Sequence, residues 1–229
     1  MIVFKYGGTS LKDEVKLLKT VKEGLKEYNK IILIVSAIGR YPDGYSTDTL
    51  FKMCDSASQL EIARMVSCGE IISSVRVSNI LNKNLIKAIS LSIYDINLTY
   101  EDGFNVNDKI NKYLNDYDVI IIPGFIGLKE NEVRLLPRGG SNITASFFAY
   151  YFKCDLVIFT DVDGLYYEDP KKNIKAEKIK ILSYDTLKEI TKDNHALFPI
   201  EGIKYLEMGN VKVLIRNTEY KYGTVIKKI

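Results

Sequence analysis

The sequence predicts an α/β protein whose mainly parallel sheet is covered by helices on both faces. Three observations predict it. Short apolar runs of strand length alternate with longer stretches of helical period along the whole chain. Several of those runs are apolar at every position, the pattern of strands buried on both faces. Glycine turns follow strands and precede helices, and the carboxyl ends of parallel strands are where such sheets gather a ligand.

Composition narrows the class. A chain of 229 residues fits one large α/β domain or two small ones, and its 46% hydrophobic content is ample for a core. Its 32 basic and 29 acidic residues leave a net charge of +3 with no basic block, which argues against nucleic acid and membrane surfaces as partners. Residues 1–5 run straight into a strand pattern, so no signal peptide is expected, and no apolar run reaches the length of a membrane span. Cys54, Cys68 and Cys154 are odd in number and scattered without metal-ligand spacing, which predicts a reduced, cytoplasmic protein with no metal site of its own.

In order, residues 2–6 read as the first strand. Gly7-Gly8-Thr9-Ser10 follows, then a helix to about residue 28 with Ser10 as its cap and Leu11, Val15, Leu18, Val21 and Leu25 on one face. Strand, glycine turn and helix together make a phosphate cradle, because backbone N–H groups approach where no side chain intervenes. Lys5 adds an ammonium beside it. By itself this turn is ordinary loop punctuation, and it matches neither the P-loop nor the spaced-glycine dinucleotide pattern.

Residues 31–36 are a second strand, and 37–46, with Gly39, Pro42, Asp43 and Gly44, a loop long enough for a lid. A helix begins at Thr47-Asp48-Thr49. A long helix over 59–81 carries Ser67-Cys68-Gly69-Glu70, where an internal glycine is tolerated if the backbone or Glu70 lies close to a ligand, although a lone helical glutamate is more commonly solvated or ion-paired. Strands are expected at 85–90, 92–97 and 119–123, a helix at 107–115, and a small hairpin at 130–136. Helices at 184–191 and 199–208, a strand at 211–216 and a terminal β segment at 223–226 complete the pattern.

The densest chemistry lies in residues 138–170. Arg138-Gly139-Gly140-Ser141 is a tight turn, and 142–152 is apolar nearly all round, as a buried helix is. Ser141, Asn142 and Thr144 suit that helix's N-terminus, whose free N–H groups seat a phosphate or carboxylate. The apolar run 156–159 ends in Thr160, Asp161 and Asp163, with Gly164 turning the chain. A glycine-flanked arginine and a pair of acids at two strand ends suggest phosphoryl transfer.

Taken together these stretches resemble the amino acid kinase family, and within it the aspartate kinases. The resemblance rests on Lys5-Tyr6-Gly7-Gly8-Thr9-Ser10, on Val35-Ser36-Ala37 followed by Thr47-Asp48, and on Ser67-Cys68-Gly69-Glu70. It continues through Gly124-Phe125-Ile126-Gly127, Arg138-Gly139-Gly140-Ser141, Thr160-Asp161-Val162-Asp163-Gly164-Leu165-Tyr166, and Arg216-Asn217-Thr218 followed by Gly223-Thr224. All fall in the family's order.

The resemblance implies a three-layer α/β/α sandwich with a mainly parallel central sheet, residues 1–229 forming one catalytic domain. It implies transfer of the γ-phosphoryl group of ATP, with Mg²⁺, to the side-chain carboxylate of L-aspartate, the first step towards lysine, threonine and methionine, by a homodimer. Lys5, Gly7 and Gly8 would hold the transferring phosphoryl. Ser36, Thr47, Glu70, Arg138 and Ser141 would hold the amino acid. Thr160, Asp161, Asp163 and Tyr166 would lie around the nucleotide, with Lys171 near its phosphates, and Lys5, Gly8, Arg138 and Asn142 would be the catalytic set. Positioning and charge neutralisation are what this chemistry needs.

Three departures stand out. Asn142 occupies the place of an aspartate, which removes a charge and a proton acceptor but keeps a hydrogen-bonding amide. His195, within 193–199, occupies the place of a lysine near the phosphates. The C-terminal regulatory domain that usually follows is not expected here. Two other readings therefore stay open: a kinase of the same fold with another carboxylate or phosphate acceptor, and a catalytically weakened regulatory subunit.

Overall fold

The computed structural model describes residues 1–101, 103–168, 173, 175–192 and 198–229. The chain begins with β1 (Ile2–Tyr6), a 3-10 turn at Ser10–Lys12, α1 (Glu14–Glu27), β2 (Ile31–Val35), α2 (Thr47–Lys52) and α3 (Gln59–Lys83). Next come β3 (Ala88–Ser90), β4 (Thr99–Tyr100), β5 (Phe104–Asn105), α4 (Lys109–Asp116), β6 (Val119–Pro123), β7 (Ile126–Lys129) and β8 (Glu132–Leu135). The last third holds α5 (Gly140–Tyr151), β9 (Leu156–Phe159), β10 (Ile181–Leu182), α6 (Tyr184–Lys192), α7 (Ile200–Gly209), β11 (Val213–Arg216) and β12 (Thr224–Ile226).

Eight strands form the central sheet in the order β10-β12-β11-β9-β1-β2-β6-β3. Every pairing is parallel except that of β11 with β12. β1, β2, β6 and β9 are buried at nearly every position, as double-sided cover requires. Alternate residues feed two cores. Val3, Ile32, Ile34, Ile120, Ile122 and Ile158 pack with α5 and α7 through Ile143, Phe147, Phe148 and Ile203. Phe4, Tyr6, Leu33, Val35, Ile121 and Phe159 pack on the other face with Leu17 and Val21 of α1 and Val77 and Leu81 of α3. The expected three-layer α/β/α sandwich is therefore the observed architecture.

Local readings need four corrections. Asp13, not Ser10, caps α1 by accepting from the Lys16 N–H at 3.0 Å, and the helix starts one 3-10 turn later than expected. That start sets the buried face at Leu17, Thr20, Val21 and Gly24 and leaves Val15 exposed. Residues 92–97 are turns rather than a strand, because Asp95 accepts from both the N–H and the hydroxyl of Ser92, at 2.7 and 2.8 Å. The hairpin expected at 130–136 is β7 and β8, turning at Glu130 and Asn131, which both carry positive φ. Finally, β4 and β5 join β7 and β8 in a second sheet of order β5-β4-β7-β8 that the sequence did not signal.

Candidate active site

Parallel strands deliver their carboxyl ends to one edge of the sheet, and four of them build the site. Lys5, Ser36, Gly124 and Thr160 stand at or just past the ends of β1, β2, β6 and β9. Backbone bonds lock these ends together: Gly7 N–H donates to Phe159 O, Ser36 N–H to Tyr6 O and Gly124 N–H to Val35 O. The glycine turn after β1 is pressed against the loop after β2. A Cβ on Gly8 would lie 2.2 Å from Ala37 O and 2.7 Å from Gly39 O, so only glycine fits there.

Among the described residues, two neighbouring cavities on this edge carry most of the expected site residues. One of about 380 Å³ is lined by Lys5, Gly7, Gly8, Thr9, Arg40, Asn142, Thr160 and Asp161. The other, about 830 Å³, is lined by Lys5, Ser36, Thr47, Glu70, Phe125, Arg138, Ser141 and Asn142, with Asp48, Phe51 and Gln59. Lys5 and Asn142 line both, so the cavities meet at those two side chains. The first has the glycine-rich wall of a phosphate seat; the second is lined by an exposed arginine, Arg138, and a buried carboxylate, Glu70.

The acceptor-side wall is built with little slack. Gly139, at φ 81°, turns the chain into α5, whose first turn is buried. Ser36 Oγ donates to Ser141 Oγ at 3.0 Å, tying the end of β2 to that helix. Gly140, Ser141 and Asn142 of the first turn of α5 line the larger cavity, which brings the partial positive charge of the helix N-terminus to its wall. On the opposite side, Gly69 lets α3 touch the loop after β2, since a Cβ there would lie 2.5 Å from Tyr45 O. The internal glycine thus serves helix–loop contact and places its neighbour Glu70 inside.

Glu70 is 1% exposed, and its Oε2 has no hydrogen-bond partner among the described residues. Burial pushes its carboxyl up to about 8, against the Ala37 N–H, the Lys5 ammonium and the Thr47 hydroxyl, which all favour the charged form. Burial likewise pushes Lys5 down to about 8, with Glu70 acting to raise it. A buried acid with an unused oxygen and a buried ammonium beside it form a site arranged for a ligand that carries charge of both signs.

The remaining expected residues divide. Thr160 and Asp161 line the smaller cavity. Asp163 and Tyr166 stand off its lining: Tyr166 donates to Asp163 Oδ1 at 2.6 Å and Lys178 Nζ to Oδ2 at 2.8 Å. Lys178 and then Tyr166 hold the Asp163 carboxyl below its usual range, and the trio stiffens the turn after β9. Lys171 and His195 lie outside the described residues. Arg40, Asp48, Phe51, Gln59 and Phe125 line the cavities although the sequence reading gave them no role. Asp48 and Phe125 lie within the quoted motifs Thr47-Asp48 and Gly124-Phe125-Ile126-Gly127, Arg40 lies in the loop marked as a lid, and Phe51 and Gln59 belong to no motif. Among the described residues no group of three or more His, Cys, Asp or Glu side chains forms a metal cage, and no helix is long and apolar enough to cross a membrane. Cys54, Cys68 and Cys154 are free thiols.

Comparison with known proteins places this geometry. The model of the amino acid kinase family matches residues 1–217. Aspartokinase 1 of Bacillus subtilis (strain 168) is 29% identical over 240 residues, covering 95% of this chain and 58% of that protein. The chain thus spans a little over half the length of such curated relatives. Among solved structures, aspartate kinase from Synechocystis superposes with a TM-score of 0.84 at 24% identity, over 100% of this chain and 40% of that one. E. coli aspartokinase III in complex with aspartate and ADP gives 0.80 at 18% identity, over 100% of this chain and 64% of that one.

Proposed function

This chain belongs to the amino acid kinase family, and on that premise we propose that it transfers the γ-phosphoryl group of ATP to the side-chain carboxylate of L-aspartate, giving 4-phospho-L-aspartate and ADP. The observation that carries the proposal is the meeting, at Lys5 and Asn142, of a cavity walled by Gly7 and Gly8 and a cavity that holds both Arg138 and Glu70. Relatives described as aspartokinases support the choice of acceptor.

In this reading ATP lies along Thr160 and Asp161 with its phosphates on Gly7 and Gly8. Aspartate lies in the larger cavity, its ammonium on Glu70 and a carboxylate on Arg138, whose two-pronged donors match it. Ser36, Thr47 and Ser141 supply neutral hydrogen bonds. The acceptor's carboxylate oxygen attacks the γ-phosphorus, and the bond from that phosphorus to the bridging oxygen breaks, leaving on ADP. Lys5 and the N-terminus of α5 neutralise charge on the phosphoryl group in flight. No proton has to leave the acceptor, because a carboxylate is already ionised at neutral pH. Asn142 in place of an acid therefore withholds nothing that this step requires, which favours an active enzyme over a weakened subunit.

Mg²⁺ fits as a companion of the nucleotide: Asp161 is the carboxylate on the described lining of the smaller cavity, and magnesium is commonly held by one or two carboxylates plus substrate phosphates. When bound, it would neutralise phosphate charge. We place the reaction in the cytoplasm, in keeping with free thiols, and in a homodimer, and we read residues 1–229 as one catalytic unit.

A coupled assay for ADP release, run with aspartate, glutamate, acetylglutamate and a phosphomonoester, tests the proposal. Aspartate-dependent release is expected. Release with one of the others alone would reassign the acceptor, and release with none would leave a non-catalytic protein.

A further inference from the structure

We propose that Arg40 is a phosphate-binding residue of this site, closing on the terminal phosphates of the nucleotide from the loop after β2. The proposal deepens the kinase reading and rests on it.

The loop is built to present this side chain. Gly39 N–H donates to Gly8 O at 2.9 Å, which lays the loop directly on the glycine turn after β1. Gly39 has φ 88°, and a Cβ there would fall 2.3 Å from Asp43 Oδ2. The turn is drawn in by Asp43, which accepts from the Arg40 N–H at 2.9 Å and from Lys12 Nζ at 2.9 and 3.1 Å. With backbone and carboxylate so fixed, Arg40 has its place on the lining of the smaller cavity, beside Lys5, Gly7 and Gly8. Its guanidinium lies 3.5 Å from Asp161 on the far wall, so the pair spans the mouth between the loop after β2 and the end of β9.

Lys5 and Arg40 are the cations on that lining among the described residues, and they differ in kind. Lys5 is a buried ammonium on a strand. The Arg40 side chain is 65% exposed, on a loop, and ends in a planar guanidinium with forked donors. Its present partner holds it weakly, because an exposed ion pair contributes little. A phosphate arriving between the two walls offers charge-assisted, two-pronged hydrogen bonds, which are stronger. Arg40 is thus placed to leave Asp161 for the phosphates when nucleotide enters.

The test compares the wild-type chain with Arg40→Ala and Arg40→Lys. Binding of AMP, ADP and a non-hydrolysable ATP analogue is measured by calorimetry with Mg²⁺, alongside steady-state constants for ATP and aspartate. Arg40→Ala should weaken the ATP analogue and lower kcat/KM for ATP by roughly ten- to a hundredfold, the loss of one charge-assisted bond. AMP binding and KM for aspartate should stay within about twofold, since no phosphate contact of theirs is removed. Arg40→Lys should recover part of the loss. Equal weakening of AMP and the ATP analogue would overturn the proposal, since Arg40 would then merely shape the cavity. So would unchanged constants in Arg40→Ala. A wild-type chain that binds no nucleotide and turns over no acceptor would bring down the kinase reading instead, before any variant is compared.

Discussion

Replacing Glu70 by glutamine should change how stability depends on pH, in a direction and amount that burial dictates. The folded protein holds this carboxyl up at about 8, while in the unfolded chain it titrates near the ordinary 4.5. Between those values the folded state carries a proton that the unfolded state has released. Stability from this group is therefore fully present below pH 4.5 and is lost as pH rises towards 8, at about 1.4 kcal/mol per pH unit. From pH 5 to 7.5 the loss amounts to about 3 kcal/mol. Glutamine has the same shape and no proton to lose, so the variant should gain on the wild type by about 3 kcal/mol across that interval. Urea unfolding at half-unit pH steps reads the difference directly. Parallel stability curves for the two proteins would show that Glu70 is ionised in the folded state at pH 5 and would refute the burial argument. Turnover should fall in the same variant, because an arriving substrate ammonium favours the ionised form of Glu70 and pairs with it, whereas glutamine has no charged form; the gain in stability and the loss of activity come from one group.

Three further outcomes follow from the geometry. Lys5→Ala should lower kcat by roughly a hundredfold or more, as losing one transition-state donor does, with the melting transition kept cooperative; this is read in the ADP-release assay. Arg138→Ala should raise KM for the acceptor by roughly ten- to a hundredfold and leave that for ATP alone, since Arg138 lines only the larger cavity. Gly8→Ala must push back the carbonyls of Ala37 and Gly39, so it should destabilise the fold by about 1–3 kcal/mol and abolish nucleotide binding, measured by urea unfolding and calorimetry.

What the sequence disclosed was whatever local patterning determines. β1, β2, β6 and β9 are mostly apolar runs of four or five residues, and each was legible with its ending residues, so Lys5, Ser36 and Thr160 were found at strand ends. The buried helix α5 and the glycine inside α3 were legible for the same reason. β4, β5 and β10 have two residues each and exist only through partners elsewhere in the chain, which no local period can announce. The start of α1 hinged on a 3-10 turn that moved the cap from Ser10 to Asp13 and rotated the buried face with it. In the site, the motifs found Glu70 and Arg138 but gave no role to Arg40, because its place depends on Asp43 and Lys12 closing a loop, a relation of distance rather than of spacing.

The mounting of Lys5 has a consequence for how the protein can open. β1 is bonded on both sides, to β2 and β9, in the interior of the eight-stranded sheet. Its amides can be exposed only by an excursion that costs nearly the whole unfolding free energy. The loop after β2 is held by a few exposed polar contacts and belongs to the cheap end of the same scale. Substrates can thus come and go through frequent local openings that never disturb the registry of the buried ammonium. A strand held in the sheet interior and a loop held by exposed contacts thus face each other across a single cavity.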